Sequence, residues 1–236
     1  NAEIVGNDIG VYVDGDSIHG SPPNGAFDDV LFRDVVVRDQ IRKGLYIEKL
    51  SNATFERVRV DGVTSSTYGF NDGIDINLKD GDYSNVTIRD SIVENVAAGT
   101  PHGGVDSFSA AIAIKARDDG SYAARPATLD GVTLDDVTVR DSYNGLRFGE
   151  PGSTNAQPTD VTVRDSTFAN NTGYHLQLAT DSLDFGTAGF VESGNQYDGH
   201  VVVYGSPTPK SPPTVWSSLG DAMAIAGPGD VVEATG

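Results

Sequence analysis

One four-residue phrase recurs along the chain and limits the fold more than any other feature. It reads Gly10-Val11-Tyr12-Val13, Gly44-Leu45-Tyr46-Ile47, Gly73-Ile74-Asp75-Ile76, Ala111-Ile112-Ala113-Ile114, Gly145-Leu146-Arg147-Phe148, His175-Leu176-Gln177-Leu178 and His200-Val201-Val202-Val203. A second phrase falls between its copies: Val30-Leu31-Phe32, Ala53-Thr54-Phe55, Val86-Thr87-Ile88, Val132-Thr133-Leu134 and Val161-Thr162-Val163. Each phrase alternates apolar with polar residues or ends such an alternation, the period of a half-buried strand. Successive copies of the first lie 25 to 38 residues apart. Constant strands at irregular spacing describe a coil of stacked strands with loop insertions. Gly, Asp, Asn and Ser punctuate every strand, and helical periodicity is nearly absent before residue 215. An antiparallel sandwich is the competing fold, but it does not require the same phrase at the same phase each time. The pattern predicts an all-β parallel β-helix of about seven rungs over residues 1–205.

Charge and composition exclude several classes of function. Asp and Glu number 34 against 16 Lys and Arg, a formal net charge of −18 in 236 residues. Such a surface repels phosphates, so no nucleic-acid partner is expected. Self-repulsion of this size is screened by strong salt, and the balance is similar to that of proteins from extreme halophiles. The absence of cysteine excludes disulfides and thiolate metal sites. No apolar run is long enough to span a membrane.

The character changes after Val203. Ser206 to Thr214 is rich in proline and reads as a stiff linker over 206–214. Over 215–236, Ser218 is placed to cap a short helix presenting Leu219, Ala222, Met223 and Ile225. Gly227-Pro228 ends it, and Gly229-Asp230-Val231-Val232 reads as turn and strand. The expectation is a short C-terminal helix-strand segment that resembles a β-helix cap. The chain itself opens on a rung with no cap. Trp216, Leu219, Met223, Ile225 and Val231 are therefore expected to cover a first rung, in a second copy stacked head-to-tail or in a following β-helix domain.

The phrases VTIRDSIVENV (Val86 to Val96) and GIDI (Gly73 to Ile76), with their repeats, resemble right-handed parallel β-helix proteins of the pectin-lyase-like class. The likeness is greatest to surface and secreted proteins of haloarchaea, and it covers residues 1 to about 205. It implies a right-handed coil and an extracellular or cell-surface location. It constrains function less, because this scaffold carries lyases, hydrolases, epimerases, adhesins and inert spacers alike.

If alternate residues point outward, the first phrase displays Tyr12, Tyr46, Asp75, Ala113, Arg147, Gln177 and Val202 as one ladder. Asp14, Glu48, Asn77, Lys115, Gly149, Ala179 and Tyr204 form a second. Asp75, Asn77, Lys115 and Arg147 then meet on the middle rungs, walled by the insertions 64–72, 97–110, 116–128 and 149–158. The resemblance implies that such a groove acts on acidic polysaccharide. Lys115 or Arg147 would remove the proton alpha to a uronate carboxylate, with Asp75 alongside and Tyr46, Glu48, Asn77 and Tyr68 binding substrate. Tyr68-Gly69-Phe70 is also similar to the YGFDPH sequence of calcium-dependent mannuronan epimerases, although Asn71 stands where that family has Asp, and its Pro and His are missing. Asp14, Asp16, Asp80 and Asp82 carry oxygen ligands of the kind calcium takes, and are equally ordinary turn residues. Asn52, Asn85 and Asn170 match the N-glycosylation pattern, although Asn52 and Asn85 also stand where other repeats have Asp29, Gly131 and Asp160, a turn position that wants Asn, Asp or Gly before a strand that wants Thr. Two readings follow: a structural or adhesive surface module, and a carbohydrate-active enzyme working in the middle-rung groove.

Overall fold

The computed structural model describes residues 2–14, 27–65, 68–98, 108–150, 153–178, 190–198, 200–204, 210–215 and 230–235. Among these the chain is strand and loop, with one 3-10 turn at Gly120–Tyr122 and no α-helix. Two long parallel sheets carry the structure. The first holds β1 (Ala2–Val5), β4 (Val35–Gln40), β7 (Arg59–Val63), β9 (Asp82–Val96), β11 (Thr128–Arg140), β14 (Thr159–Arg164) and β17 (Phe190–Ser193) in that order. Shorter strands extend it. Of these, β3 (Leu31–Arg33) and β6 (Ala53–Glu56) continue from the first half of β9, and β15 (Thr167–Ala169) and β18 (Gln196–Tyr197) continue from the second half of β11. The second sheet runs β2 (Ile9–Val13), β5 (Lys43–Ile47), β8 (Asp72–Leu78), β10 (Ala110–Arg117), β12 (Asn144–Phe148) and β16 (Leu176–Leu178). A short β13 (Asn155–Ala156) lies antiparallel against the end of β10.

The chain passes from one sheet to the other and back, and the parallel strands of both sheets pair with their counterparts one repeat away. The register is the one the recurring phrase demands. Val11, Leu45, Ile74, Ile112, Leu146 and Leu176 are successive partners, as are Tyr12, Tyr46, Asp75, Ala113, Arg147 and Gln177. A slip of one residue would turn every apolar side chain outward, so the alternation fixes the pairing. Leu45, Ile74, Ile112 and Leu146 of the second sheet and Phe55, Ile88 and Leu134 of the first are fully buried in one continuous core. Each such side chain contributes about 1.5–3 kcal/mol by leaving water.

Tight bends between strands account for the abundance of Asp and Asn. Left-handed backbone recurs at five-residue steps within each repeat: Asp29, Asp34 and Asp39; Asn52, Arg57 and Gly62; Asn85, Asp90 and Asn95; Gly131, Asp136 and Asp141; Asp160, Asp165 and Asn170. Asp, Asn and Gly tolerate this conformation best, because short polar side chains bond locally and glycine has no Cβ. Asn52 and Asn85 are therefore bend residues. Their amides also stack, Asn85 Nδ2 donating to Asn52 Oδ1 at 2.7 Å and Asn52 Nδ2 to Asp28 Oδ1 at 2.7 Å. Asn170 likewise donates to Asp141 Oδ1 at 3.3 Å. All three are exposed, and each amide nitrogen where a glycan would attach already makes a hydrogen bond.

The C-terminal region departs from expectation. The seventh copy of the phrase, β19 (His200–Tyr204), does not extend the second sheet but pairs antiparallel with β21 (Asp230–Thr235). Lys210–Val215, expected within a free linker, is β20 and runs parallel to β21. Its register shifts between Lys210 and Thr214, where Pro212 and Pro213 supply no N–H for the ladder, and its place at the sheet edge is where proline is tolerated. Val231, expected to cover a first rung, is paired through its backbone with Tyr204 of its own chain. Trp216, Leu219, Met223 and Ile225, with the helix expected around them, lie outside the described residues, as does Asp16.

Candidate functional site

A cleft of about 230 Å³ opens on the outer face of the second sheet. Its lining comes from β2, β5, β8 and β10 and from the loops beside them: Ile9; Lys43 and Tyr46; Asp75 and Asn77; Lys115 and Arg117; then Arg42, Tyr68, Phe70 and Glu150. The strands place these groups by register. Tyr46 is paired with Asp75, and Asn77 with Lys115.

Asp75 forms the floor. It is fully buried, with Lys43 Nζ donating to its Oδ2 at 2.7 Å and Lys115 Nζ 3.7 Å from its Oδ1. Lys43 also donates to Asp72, whose other oxygen accepts from the Ala110 N–H at 2.9 Å. Lys115 turns its nearer bond toward the rim, donating to Glu150 Oε2 at 2.7 Å. Burial alone would raise the Asp75 carboxyl, but the charges of Lys115, Lys43 and Arg147 outweigh it and hold the group well below the usual carboxylate range. Burial would likewise strip the proton from Lys43, yet Asp72 and Asp75 prevail and push its ammonium upward. Burial, Asp75 and Glu48 together push the Tyr46 hydroxyl up. The floor is thus a buried carboxylate, Asp75, set between Lys43 and Lys115.

The walls are cationic and aromatic. Arg42 grips Asp8 through Nε at 2.7 Å and through Nη2, and lies over the Tyr68 ring at 5.3 Å. Arg117 is held by both oxygens of Asp119 at 2.7 and 3.2 Å and covers the Tyr122 ring at 4.8 Å. Tyr46 accepts hydrogen bonds from Asn77 Nδ2 at 3.0 Å and Lys79 Nζ at 3.2 Å, and Lys79 also pairs with Glu48. Tyr12 stacks on Tyr46 with ring centroids 5.1 Å apart, and Phe70 stacks on Phe108 at 4.9 Å. Four of the chain's 16 basic residues thus line one cleft that holds only two acids, Asp75 and Glu150.

Of the residues singled out from sequence, Tyr46, Tyr68, Asp75, Asn77 and Lys115 line the cleft, and Glu48 joins it through Lys79. Arg147 does not face the cleft. It is fully buried, with Nη2 3.5 Å from Asp72 Oδ1, while Nε and Nη1 have no hydrogen-bond partner among the described residues. Lys43, Asp72, Arg42, Arg117 and Glu150 were not anticipated. Counting back by twos from Tyr46 puts Gly44, not Lys43, on the outer face. The backbone breaks that alternation at the glycine, whose Cβ position points inward, 2.7 Å from Val60 Cγ1. Gly73 is pinched in the same way, a Cβ there falling 2.5 Å from both Ala111 O and Val93 Cγ1, so Asp72 is shifted into line with Lys43.

The acids expected to hold calcium do not converge. Asp14 accepts from the Tyr12 hydroxyl at 3.4 Å, Asp80 occupies a left-handed turn position, and Asp82 accepts from Thr128 Oγ1 at 2.7 Å. Among the described residues no group of three or more histidine or acidic side chains is gathered as a metal would need, and Asp16 lies outside them. Compared with family models, with curated proteins and with solved structures, the chain matches none.

Proposed function

We propose that the two sheets are faces of a right-handed parallel β-helix and that its middle-rung cleft binds an acidic polysaccharide. The chain is then an adhesive binding module of the cell surface or extracellular medium. The winding is supported by the alternation of the chain between sheets at a fixed register. One observation carries the ligand: Lys43 and Lys115, from adjacent strands but one apart, flank buried Asp75 beneath an open cleft walled by Arg42 and Arg117. In a chain of net charge −18 the cleft gathers four cations, each already paired with a carboxylate (Arg42 with Asp8, Lys43 with Asp72 and Asp75, Lys115 with Glu150, Arg117 with Asp119). An anionic ligand there would enter by taking over a cation from one of these acids. The tyrosine faces beside those cations suit sugar rings, which present apolar C–H surfaces between hydroxyls.

Binding is preferred to turnover because Lys43 and Tyr46 are shifted toward keeping the proton, while Asp75, held low by its cationic neighbours, is shifted away from taking one. A base for proton abstraction needs the opposite shift. Affinity electrophoresis through gels containing a uronate polymer, its methyl ester or a neutral glucan tests the reading. Retardation is expected only by the free uronate and should weaken with salt. Equal mobility in all three gels would refute it, and release of unsaturated or epimerised product would convert the module into an enzyme.

A further inference from the structure

Glu150 occupies the cleft in a way that marks where a ligand's carboxylate belongs. Its Oε2 accepts from Lys115 Nζ at 2.7 Å and stands 3.9 Å from Arg117 Nη1. Burial would raise this carboxyl, but Lys115 and Arg117 outweigh it and keep it below its ordinary value, so it is charged at neutral pH. Arg117 does not depend on it, whereas Lys115 makes its 2.7 Å hydrogen bond to Glu150 and stands farther from Asp75, whose Oδ1 has no hydrogen-bond partner among the described residues. Lys115 keeps Asp75 at 3.7 Å, and Arg117 keeps both oxygens of Asp119. The backbone of Glu150 is anchored separately, its N–H donating to Asn155 Oδ1 at 2.7 Å and its carbonyl accepting from Ser153 N at 3.1 Å. Rotation of the side chain alone therefore vacates the position.

We infer that the Lys115–Arg117 pair is the carboxylate subsite of the cleft, and that Glu150 is a built-in competitor which an acidic sugar displaces. The inference rests on the acidic-polysaccharide reading and adds the placement of the sugar's charge. An ion pair made beforehand within the protein must be exchanged for one with the ligand, so the site discriminates against neutral and esterified sugars. These cannot repay the lost contact. A uronate repays it with its own carboxylate and adds ring contacts at Tyr46 and Tyr68.

Isothermal titration of the whole chain with a uronate tetramer and with its fully methyl-esterified form tests this. Glu150→Gln keeps the shape and removes the charge. It is expected to bind the acid tetramer about tenfold more tightly than wild type, the size of one charge-assisted hydrogen bond no longer contested. Affinity for the ester should stay low. Wild-type binding that is unchanged or weakened in Glu150→Gln overturns the competitor while leaving the polysaccharide reading intact. Absence of binding by both proteins overturns both. A second readout needs no variant: in carboxyl-labelled wild-type protein, the Glu150 Cδ resonance should shift on saturation with the tetramer. A resonance that stays fixed while the ligand binds would again overturn the displacement.

Discussion

The outer faces of the two sheets are built from the same repeat and both carry cross-strand ion pairs, yet they use charge in opposite ways. On the first sheet, Arg33 and Arg89 flank Glu56 at 3.0 and 2.8 Å, and Arg164 meets Asp135 at 2.6 Å. Each of these arginines is nearly half exposed. On the second sheet, Lys43, Asp75 and Lys115 make comparable contacts with side chains at most 6% exposed. Register is the same, but burial differs, and burial decides the energetics. Exposed pairs gain little, because water and salt screen them and two long side chains are immobilised. Buried charges cost several kcal/mol each to desolvate and persist only while every partner is in place. The first face pairs its charges across neighbouring strands with the arginines in water. The second stores a charged arrangement that the fold had to build around, as binding sites do.

The widest separation between the faces should come from Lys43→Met, which strands Asp72 and Asp75 without their shared cation. A loss of about 3–5 kcal/mol is expected in denaturant unfolding. A loss under about 1 kcal/mol would place this cluster in the same class as the exposed ladder. The cluster's pH dependence sharpens the point. Asp75 is held below its ordinary value of 3.8, so its contribution is present above that value and is lost as pH falls through the lower folded one. Lys43 is held above its ordinary 10.5, so its contribution is present below that value and is lost as pH rises through the higher folded one. The stability difference between wild type and Lys43→Met should therefore be level through the neutral range and shrink at both extremes. A steady slope across neutral pH would contradict it.

Next in size is Gly44→Ala, whose added Cβ meets Val60 and the Gly73 carbonyl. Overpacking of this kind costs about 1–3 kcal/mol, and the displaced Lys43 should weaken ligand binding beyond what stability alone explains. Stability unchanged in this variant would remove the glycine's role in setting the site. The smallest effect belongs to the exposed face. Arg164→Ala should cost less than about 1 kcal/mol and become neutral in molar KCl. The same salt should raise the melting temperature of the wild type, because net repulsion is screened. A large, salt-insensitive loss in Arg164→Ala would mean the ladder is structural after all.

How far this was legible in the sequence differs from residue to residue. The stacking of Leu45, Ile74, Ile112 and Leu146 could be read directly, because only one register keeps all of them inside. Tyr46, Asp75, Asn77 and Lys115 followed by alternation from those neighbours. Lys43 and Asp72 did not, since a glycine reverses the parity in a way that counting cannot show. Arg117 and Glu150 come from where β10 ends and where the loop after β12 begins, and nothing periodic points to either. The burial of Arg147 depends on tertiary cover, so its place on the outward ladder gave the wrong surroundings. The five-residue recurrence of Asp, Asn and Gly was open to inspection throughout, at Asp29, Asp34 and Asp39 for example. It puts Asn52 and Asn85 at the same bend position as Asp29, Gly131 and Asp160, as the sequence already indicated. The prolines of β20 were read as a linker because extended proline-rich backbone and a proline-bearing edge strand are the same local conformation.

The account stands on where an acidic saccharide binds. A crystal structure of the protein soaked with a uronate tetramer would answer that most directly. The result expected is a sugar carboxylate between Lys115 and Arg117, with rings against Tyr46 and Tyr68 and the Glu150 side chain turned away. Sugar bound along the exposed arginine ladder of the first sheet, with the Lys43–Asp75–Lys115 cleft empty, would contradict it.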